Sequence, residues 1–204
     1  MNASIHCVYF DIGGVLLRWQ EFFESIAINY EKSRRDVEAC YFRYDDLACR
    51  GEISTQIAWE NACRDLHISP TSDVNFATGW IETFTPIAPS HRLLRKIAKK
   101  LPVGLLTNIH SGTYELTVQK KLVPDIPYKA VVQSCNVGCI KPEKEIYEIA
   151  QKQAGVSHKH IFFTDDLAQN IETARSIGWQ AVQFQTDQPE QSVQEIQRML
   201  QLNF

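Results

Sequence analysis

Residues 5–16 read IHCVYFDIGGVL, and this stretch decides the fold. Apolar residues dominate its first six positions, and the acid and glycines that begin at Asp11 break the run. An apolar run of this length that ends in turn residues is typical of a short buried strand. The stretch therefore predicts a strand over residues 5–10, with the carboxylate of Asp11 at its carboxyl end.

Beyond Pro86 and Pro89 the chain alternates between helical and β-rich patterns. The predicted strands are 103–107, 129–133, 160–164 and 180–184, and the predicted helices are 91–100, about 112–122, 143–155, 168–177 and 189–202. Strands that alternate with helices of this length form a parallel sheet with helices on both faces. We therefore predict an α/β fold with a Rossmann-like parallel-sheet core, to which the first strand also belongs.

Residues 17–88 follow a different pattern. Aromatic and aliphatic residues recur there near helical spacing, which indicates several helices packed together. Because the strands on both sides belong to one sheet, this helical block is an insertion. We predict a core formed by residues 1–16 and 89–204, and an α-helical cap subdomain formed by residues 17–88, called the helical segment below.

Composition and charge favour a small-molecule ligand and a cytoplasmic location. The net charge is −3 and the 21 basic residues are scattered, so no positive stripe predicts nucleic-acid binding. No apolar run is long enough to span a membrane, and the N-terminus lacks the pattern of a secretory signal. The six cysteines lack CxxC spacing, so we expect reduced, mostly buried thiols. For 204 residues we expect one active site, in a monomer or a homodimer.

Polar residues follow several of the predicted strands at the point where each strand ends. They are Asp11, Thr107, Asn108, Lys141, Asp165 and Asp166. In parallel sheets the carboxyl ends of the strands share one edge, and ligands bind there. Three carboxylates at this edge would repel one another unless a cation lies among them, and oxygen ligands suit Mg²⁺.

The remaining residues at this edge suit a phosphoryl group. Lys141 supplies positive charge and Thr107 supplies a hydroxyl donor. Gly13 and Gly14 allow backbone amides to approach phosphoryl oxygens without a Cβ in the way. A carboxylate such as Asp11 can then attack phosphorus and form an aspartyl phosphate that water later cleaves.

Four motifs, in this order and each after a predicted strand, carry a resemblance to a known family. They are residues 10–16 (FDIGGVL), 105–108 (LLTN), 140–142 (IKP) and 162–166 (FFTDD). With them the sequence resembles the haloacid dehalogenase (HAD) superfamily, in the subgroup with a helical cap inserted after the first strand. The resemblance implies a HAD-like core and an Mg²⁺-dependent hydrolase, a phosphatase acting on a small phosphorylated metabolite.

The resemblance also implies a role for each motif residue. It makes Asp11 the nucleophile and a metal ligand, and Asp166 the principal acidic metal ligand. Gly13 would offer its backbone carbonyl to Mg²⁺, and Asp165 would act through a bound water or hold Lys141. The residues that would hold the phosphoryl oxygens are Thr107, Asn108, Lys141 and, through its backbone amide, Gly14.

The sequence departs from the family pattern at Gly13, where typical phosphatases of the family have a second aspartate. That aspartate protonates the leaving group, and general acid–base catalysis contributes roughly 10²–10⁴ in rate. Members similar to sugar-1-phosphate phosphatases share the Asp-x-Gly pattern. We therefore expect a preference for sugar 1-phosphates or acyl phosphates, whose leaving groups need less protonation.

Several alternatives stay open. Strand-end acids can simply cap helices, Lys141 can be a solvated turn lysine, and Asn170 can be an ordinary helical residue. Trp19 either lines the pocket or packs at the hinge, and we interpret the histidines, His110 included, as structural. Two other functions compete with the phosphatase: a haloacid dehalogenase, which needs neither metal nor second aspartate, and a non-catalytic module that binds phosphate ligands.

Overall fold

The computed structural model describes residues 4–19, 21–69 and 76–201. The strands are β1 (Cys7–Phe10), β2 (Leu17–Arg18), β3 (Thr85–Pro86), β4 (Val103–Thr107), β5 (Ala130–Gln133), β6 (Ile161–Asp165) and β7 (Gln180–Gln183). The first five helices are α1 (Glu21–Asn29), α2 (Arg34–Cys49), α3 (Thr55–Asp65), α4 (Phe76–Glu82) and α5 (Ala88–Ile97). They are followed by α6 (Thr113–Gln119), α7 (Ser134–Val137), α8 (Lys144–Ala154), a 3₁₀ turn (His158–His160), α9 (Ala168–Ser176) and α10 (Pro189–Met199).

Five strands form one parallel sheet in the order β5-β4-β1-β6-β7. The first strand lies at its centre, where Phe10 pairs with Leu105 on one side and Thr164 on the other. This arrangement confirms the predicted α/β fold with a parallel-sheet core. It also places the residues that follow β1, β4 and β6 side by side at the carboxyl edge.

Both faces of the sheet are buried because the side chains of β1 alternate between two hydrophobic clusters. Val8 and Phe10 pack into the cluster that includes residues of α5 and α10. Cys7 and Tyr9 pack into the opposite cluster, which includes residues of α8 and α9. The hydroxyl of Tyr9 donates to the carbonyl of Ala150 in α8 at 2.7 Å, so burying this tyrosine leaves no unsatisfied donor.

The helical segment has an apolar core of its own, formed by side chains of α1 to α4. The chain leaves and re-enters the sheet domain at one place, because β2 and β3 pair antiparallel with Leu17 opposite Pro86. The N–H of Ile87 donates to the carbonyl of Leu16 at 2.8 Å beside this pair. We propose that this neck separates the core from the cap near the boundaries that the sequence predicts.

All six cysteines are free, and four of them are buried, as their dispersed spacing predicts. Within the described ranges, no helix has both the length and the apolar character needed to cross a bilayer. The predicted end of the last helix, residue 202, lies outside the described residues.

Candidate active site

A cavity of about 600 Å³ opens between the carboxyl edge of the sheet and the helical segment. Six of the predicted site residues line it: Asp11, Gly13, Thr107, Asn108, Lys141 and Asp166. Gly14 and Asp165 do not line the cavity but contact residues that do. The structure therefore brings all the predicted site residues to one place.

Lys141 lies at the centre of this group. Its Nζ is 2.9 Å from Oδ1 of Asp11 and 2.6 Å from Oδ2 of Asp165, and it donates to the carbonyl of Leu106 at 3.0 Å. The contact with Asp11 is an ion pair rather than a well-aligned hydrogen bond. The lysine side chain is 1% exposed, so it is a buried charge held by two carboxylates and not a solvated turn lysine.

Asp165 connects Lys141 to the start of α9. While Oδ2 accepts from Lys141, Oδ1 accepts from the backbone N–H of Leu167 and from Nδ2 of Asn170, each at 2.9 Å. Asn170 is buried, and its carbonyl accepts from the hydroxyl of Tyr147 at 2.9 Å. Asn170 therefore orients the carboxylate of Asp165, and this carboxylate in turn holds the ammonium group of Lys141.

Asn108 fixes the backbone of Lys141 by a pair of reciprocal hydrogen bonds. Its Nδ2 donates to the carbonyl of Lys141 at 2.9 Å, and its Oδ1 accepts from the N–H of Lys141 at 2.8 Å. In the part of the chain that the structure describes, the neighbouring hydroxyl of Thr107 has only a 3.4 Å contact, with the carbonyl of Asn108. That hydroxyl can turn towards a ligand in the cavity at little cost.

The turn after Asp11 fits closely against Asp166. Gly14 has φ +70°, and a Cβ built on it would lie 2.2 Å from Oδ2 of Asp166. The carbonyl of Gly14 accepts from the hydroxyl of Thr186 at 2.6 Å, and the carbonyl of Asp166 accepts from Nε2 of Gln183 at 2.8 Å. Only glycine fits at position 14, since both the backbone conformation and the space exclude a side chain.

The carboxylates are too close together to ionise easily without a cation. The ligand oxygens of Asp11, Asp165 and Asp166 all lie within 4.8 Å of one another. Burial raises the pKa of Asp11, and the charges of Asp165 and Asp166 raise it further against the opposing effect of Lys141, to about 7. Burial and the charge of Asp165 raise the pKa of Asp166 to about 6. Burial lowers the pKa of Lys141, but Asp11 and Asp165 outweigh burial and raise it.

The helical segment supplies the opposite wall of the cavity. This wall is mostly aromatic, with Trp19, Phe42, Trp80 and Phe84, and it carries the carboxylates of Asp45 and Asp46. Trp19 both lines the cavity and packs edge-on against Phe23, Phe42 and Trp80, so its two predicted roles coexist.

Asp45 is a cavity residue that sequence reasoning missed. Its Oδ1 lies 3.0 Å from Nε2 of His110, and Nδ1 of His110 lies 3.2 Å from the hydroxyl of Thr55. His110 is buried and keeps the structural role that we predicted, while it also lines the cavity. No motif in the sequence points to Asp45, because the contact joins residues 65 positions apart.

A second contact joins the helical segment to the loop that carries Lys141. The guanidinium of Arg50, after α2, forms a bidentate ion pair with Glu143. Gly51 follows with φ +76°, and a Cβ there would lie 2.5 Å from the carbonyl oxygen of Cys135. Ser54 then caps α3 by accepting from the N–H of Ile57 at 3.2 Å.

Comparison with known proteins gives a family for the sequence. The family model for haloacid dehalogenase-like hydrolases matches residues 5–178. A curated relative, acyl-CoA dehydrogenase family member 10 of Mus musculus, is 24% identical over 223 residues. The match covers 98% of this chain but 19% of that protein, so the chain spans about a fifth of the relative's length.

Solved structures share the fold. A HAD family enzyme from Bacteroides thetaiotaomicron, in complex with magnesium and inorganic phosphate, matches with a TM-score of 0.69 and 21% identity, over 88% of this chain and 94% of that one. An L-2-haloacid dehalogenase from Xanthobacter autotrophicus, with chloropropionic acid covalently bound, matches with a TM-score of 0.68 and 17% identity, over 87% and 76%. At these identities the likeness concerns the fold.

Proposed function

Because the chain belongs to the haloacid dehalogenase-like hydrolase family, we propose that it is a magnesium-dependent phosphohydrolase that acts on a small phosphorylated metabolite. The observation that carries the proposal is the group of three carboxylates around one buried lysine at the floor of the cavity. The magnesium and phosphate complex of the Bacteroides thetaiotaomicron enzyme supports the same chemistry. The solved dehalogenase makes halide release the alternative that an experiment must address.

The residues at the floor of the cavity fit a magnesium ion. Asp11, Asp165 and Asp166 carry three negative charges within 4.8 Å, and Lys141 offsets one of them. Oδ1 of Asp11 accepts no well-aligned hydrogen bond from the described part of the chain. Oxygen donors with an excess negative charge suit a hard divalent cation. We propose Asp11, Asp166 and the carbonyl of Gly13 as direct ligands, with Asp165 contributing through water or through Lys141.

The proposed reaction has two steps. An oxygen of Asp11 attacks phosphorus, the bond from phosphorus to the leaving oxygen breaks, and an aspartyl phosphate forms. Water then attacks the same phosphorus, which releases inorganic phosphate and restores the carboxylate of Asp11. Lys141, Thr107, Asn108 and the amide of Gly14 hold the phosphoryl oxygens through both steps. Bound Mg²⁺ would neutralise charge on these oxygens and align phosphorus with the nucleophile.

Two features of the chain affect which substrates we expect it to prefer: the helical segment and Gly13. We propose that residues 17–88 act as a cap whose aromatic wall covers the leaving group and excludes water. With Gly13 in place of a second aspartate, the chain lacks the usual proton donor to the leaving group. We therefore propose sugar 1-phosphates or acyl phosphates as the preferred substrates, because their leaving groups depend less on protonation.

A panel of phosphorylated metabolites tests the proposal. It contains sugar 1-phosphates, sugar 6-phosphates, nucleotides and acetyl phosphate, each with Mg²⁺ or with chelator, and the measured quantity is released phosphate. Asp11→Asn removes the nucleophile, and Asp187→Asn, whose side chain is 96% exposed, is the matched control. We expect magnesium-dependent release that Asp11→Asn abolishes and Asp187→Asn retains.

Two other results would replace the proposal. Halide release from 2-haloacids, insensitive to chelator and lost in Asp11→Asn, would identify a dehalogenase. Saturable binding of phosphate esters without turnover of any of them would identify a binding module.

A further inference from the structure

The place left by the absent second aspartate is not empty. A Cβ built on Gly13 would lie 3.3 Å from Nε1 and 3.6 Å from Cδ1 of Trp19. The edge of the indole ring that carries the N–H therefore faces the point where a side chain at position 13 would begin. Asp11, Gly13 and Trp19 line the same cavity.

Neighbouring rings hold the indole in this orientation. The ring of Trp19 meets those of Phe23, Phe42 and Trp80 at centroid distances of 6.0, 6.0 and 5.9 Å, with interplanar angles of 77°, 75° and 81°. Edge-to-face packing of this kind fixes a ring without using its polar group. Among the described residues, none accepts a hydrogen bond from Nε1 of Trp19, so this donor is available to a ligand in the cavity.

We propose that Trp19 is a catalytic residue whose Nε1–H donates a hydrogen bond to the leaving-group oxygen in the transition state. The inference rests on the proposed phosphohydrolase function. As the bond from Asp11 to phosphorus forms, the bond to the leaving oxygen breaks and its electron pair stays on that oxygen. An indole nitrogen donates a hydrogen bond but keeps its proton, so the leaving group takes its proton afterwards from water.

This arrangement explains why a chain with Gly13 can still turn over. A donor aimed at an oxygen that gains charge in the transition state contributes about 10²–10³ in rate at a fully enclosed site. Trp19 is only partly buried, so we expect about 10- to 100-fold. A hydrogen bond stabilises the negative charge on the leaving-group oxygen less than full proton transfer would. The site is therefore restricted to good leaving groups.

A series of aryl phosphates with graded phenol acidity tests the assignment. The measured quantity is kcat/KM against phenol acidity, with Mg²⁺, for the wild type and for Trp19→Phe, which keeps a ring and loses the N–H. We expect Trp19→Phe to lose about 10- to 100-fold, with the loss largest for the least acidic phenols, so that the plot becomes steeper. Leu66→Ala is the control, because it loosens the apolar core of the helical segment without changing any of the three rings that pack on the indole; its slope should match the wild type.

Two further variants keep the test decisive. Benzothienylalanine at position 19 has the shape of tryptophan and no N–H, and it should reproduce the steeper slope if Trp19→Phe disturbs folding. Gly13→Asp combined with Trp19→Phe places a carboxyl group in the vacated space, and its slope should be shallower than that of Trp19→Phe alone.

Two different results separate the role of Trp19 from the phosphohydrolase function. A wild-type slope in both Trp19→Phe and the benzothienylalanine protein would overturn the role of Trp19 while phosphate release continued. No release by the wild type from any aryl phosphate or metabolite would overturn the phosphohydrolase function, and the role of Trp19 with it.

Discussion

Gly14 is the residue at which backbone conformation and the proposed catalytic site are most closely tied. A methyl group there would both strain a backbone with φ +70° and press on the carboxylate of Asp166. We expect Gly14→Ala to lower the proposed phosphate release more than 100-fold, because Asp166 must move away from the position that we propose for Mg²⁺. Gly155→Ala is a matched control, with φ +72° and nothing within 4 Å of the added Cβ.

The two glycine variants separate the effect of backbone strain from the effect of moving the carboxylate of Asp166. Gly155→Ala should lose roughly 1–2 kcal/mol of unfolding free energy, the cost of a left-handed conformation for alanine, and Gly14→Ala should lose more because Asp166 must also shift; both are measured by urea unfolding. Only Gly14→Ala should lose activity and Mg²⁺ affinity. Equal activity in the two variants would show that Asp166 does not need its observed position.

At the level of whole elements, the contact of His110 with Asp45 couples α2 to the loop after β4. Both ring nitrogens of His110 face partners in the helical segment, and the ring is buried. His110→Ala removes the ring that faces Asp45 and Thr55 and opens a void. We therefore expect a loss of about 2–4 kcal/mol in unfolding free energy and a KM raised at least tenfold, with a smaller change in kcat.

The exposed His158 is the control for this variant. His158→Ala should stay within about 0.5 kcal/mol of the wild type and keep its KM. If His110→Ala retained both the wild-type stability and the wild-type KM, the contact between helical segment and core would have no part in substrate binding.

The sequence predicted the sheet more closely than the helix boundaries, and the reason is physical. Buried parallel strands are nearly continuous apolar runs, so β4 (Val103–Thr107) was predicted at its observed bounds. The prediction placed the start of α5 at residue 91, after Pro89, whereas α5 begins at Ala88 with Pro89 in its first turn. Proline is accepted there, because the first N–H groups of a helix need no intrahelical partner.

In the site, too, residues that follow strands could be predicted from the sequence, whereas contacts that depend on tertiary packing could not. Asp11, Lys141 and Asp166 could be predicted because each follows a strand, and the topology brings strand ends together. The contact of Asp45 with His110 could not, since it depends on how the helical segment packs on the core. The approach of Trp19 to Gly13 is also tertiary, because three rings of the helical segment decide where the indole edge points.

For the whole molecule, the buried carboxylates link stability to pH and to metal. The folded pKa values of Asp11 and Asp166, about 7 and about 6, lie above the ordinary value of 3.8. The folded protein therefore binds these protons more tightly than the unfolded chain does. Without metal, their ionisation should lower stability as pH rises from about 4 to about 7.

Magnesium at the proposed site should reverse this loss, because it would bind the ionised form of the carboxylates. We expect the rise in Tm caused by Mg²⁺, measured against chelator, to be small at pH 5 and to grow through pH 6–7 to a plateau near pH 8. Asp166→Asn should lose most of the rise. An equal rise at pH 5 and pH 8 would contradict the linkage between proton release and metal binding.

The charge of the whole cavity sets a limit on the substrate. Four aspartates line it, Asp11, Asp45, Asp46 and Asp166, while Lys141 is the one lysine or arginine among the lining residues of the described chain. Lys141 is already paired with Asp11 and Asp165. The proposed divalent cation and a phosphate dianion would cancel each other, so Asp45 and Asp46, on the wall that we propose to face the leaving group, keep their negative charge.

A second anionic group on the substrate should therefore be repelled. Glucose 1-phosphate and glucuronic acid 1-phosphate differ by one carboxylate, and we expect kcat/KM to be about 10- to 100-fold lower for the acid, since like charges repel each other at a binding surface. Asp45→Asn removes one charge at nearly constant shape, so it should reduce the difference in kcat/KM between the two sugars. Added salt should reduce that difference less, because Asp45 is only partly exposed and its charge is incompletely screened. Equal turnover of the two sugars by the wild type would mean that the leaving group does not face Asp45 and Asp46.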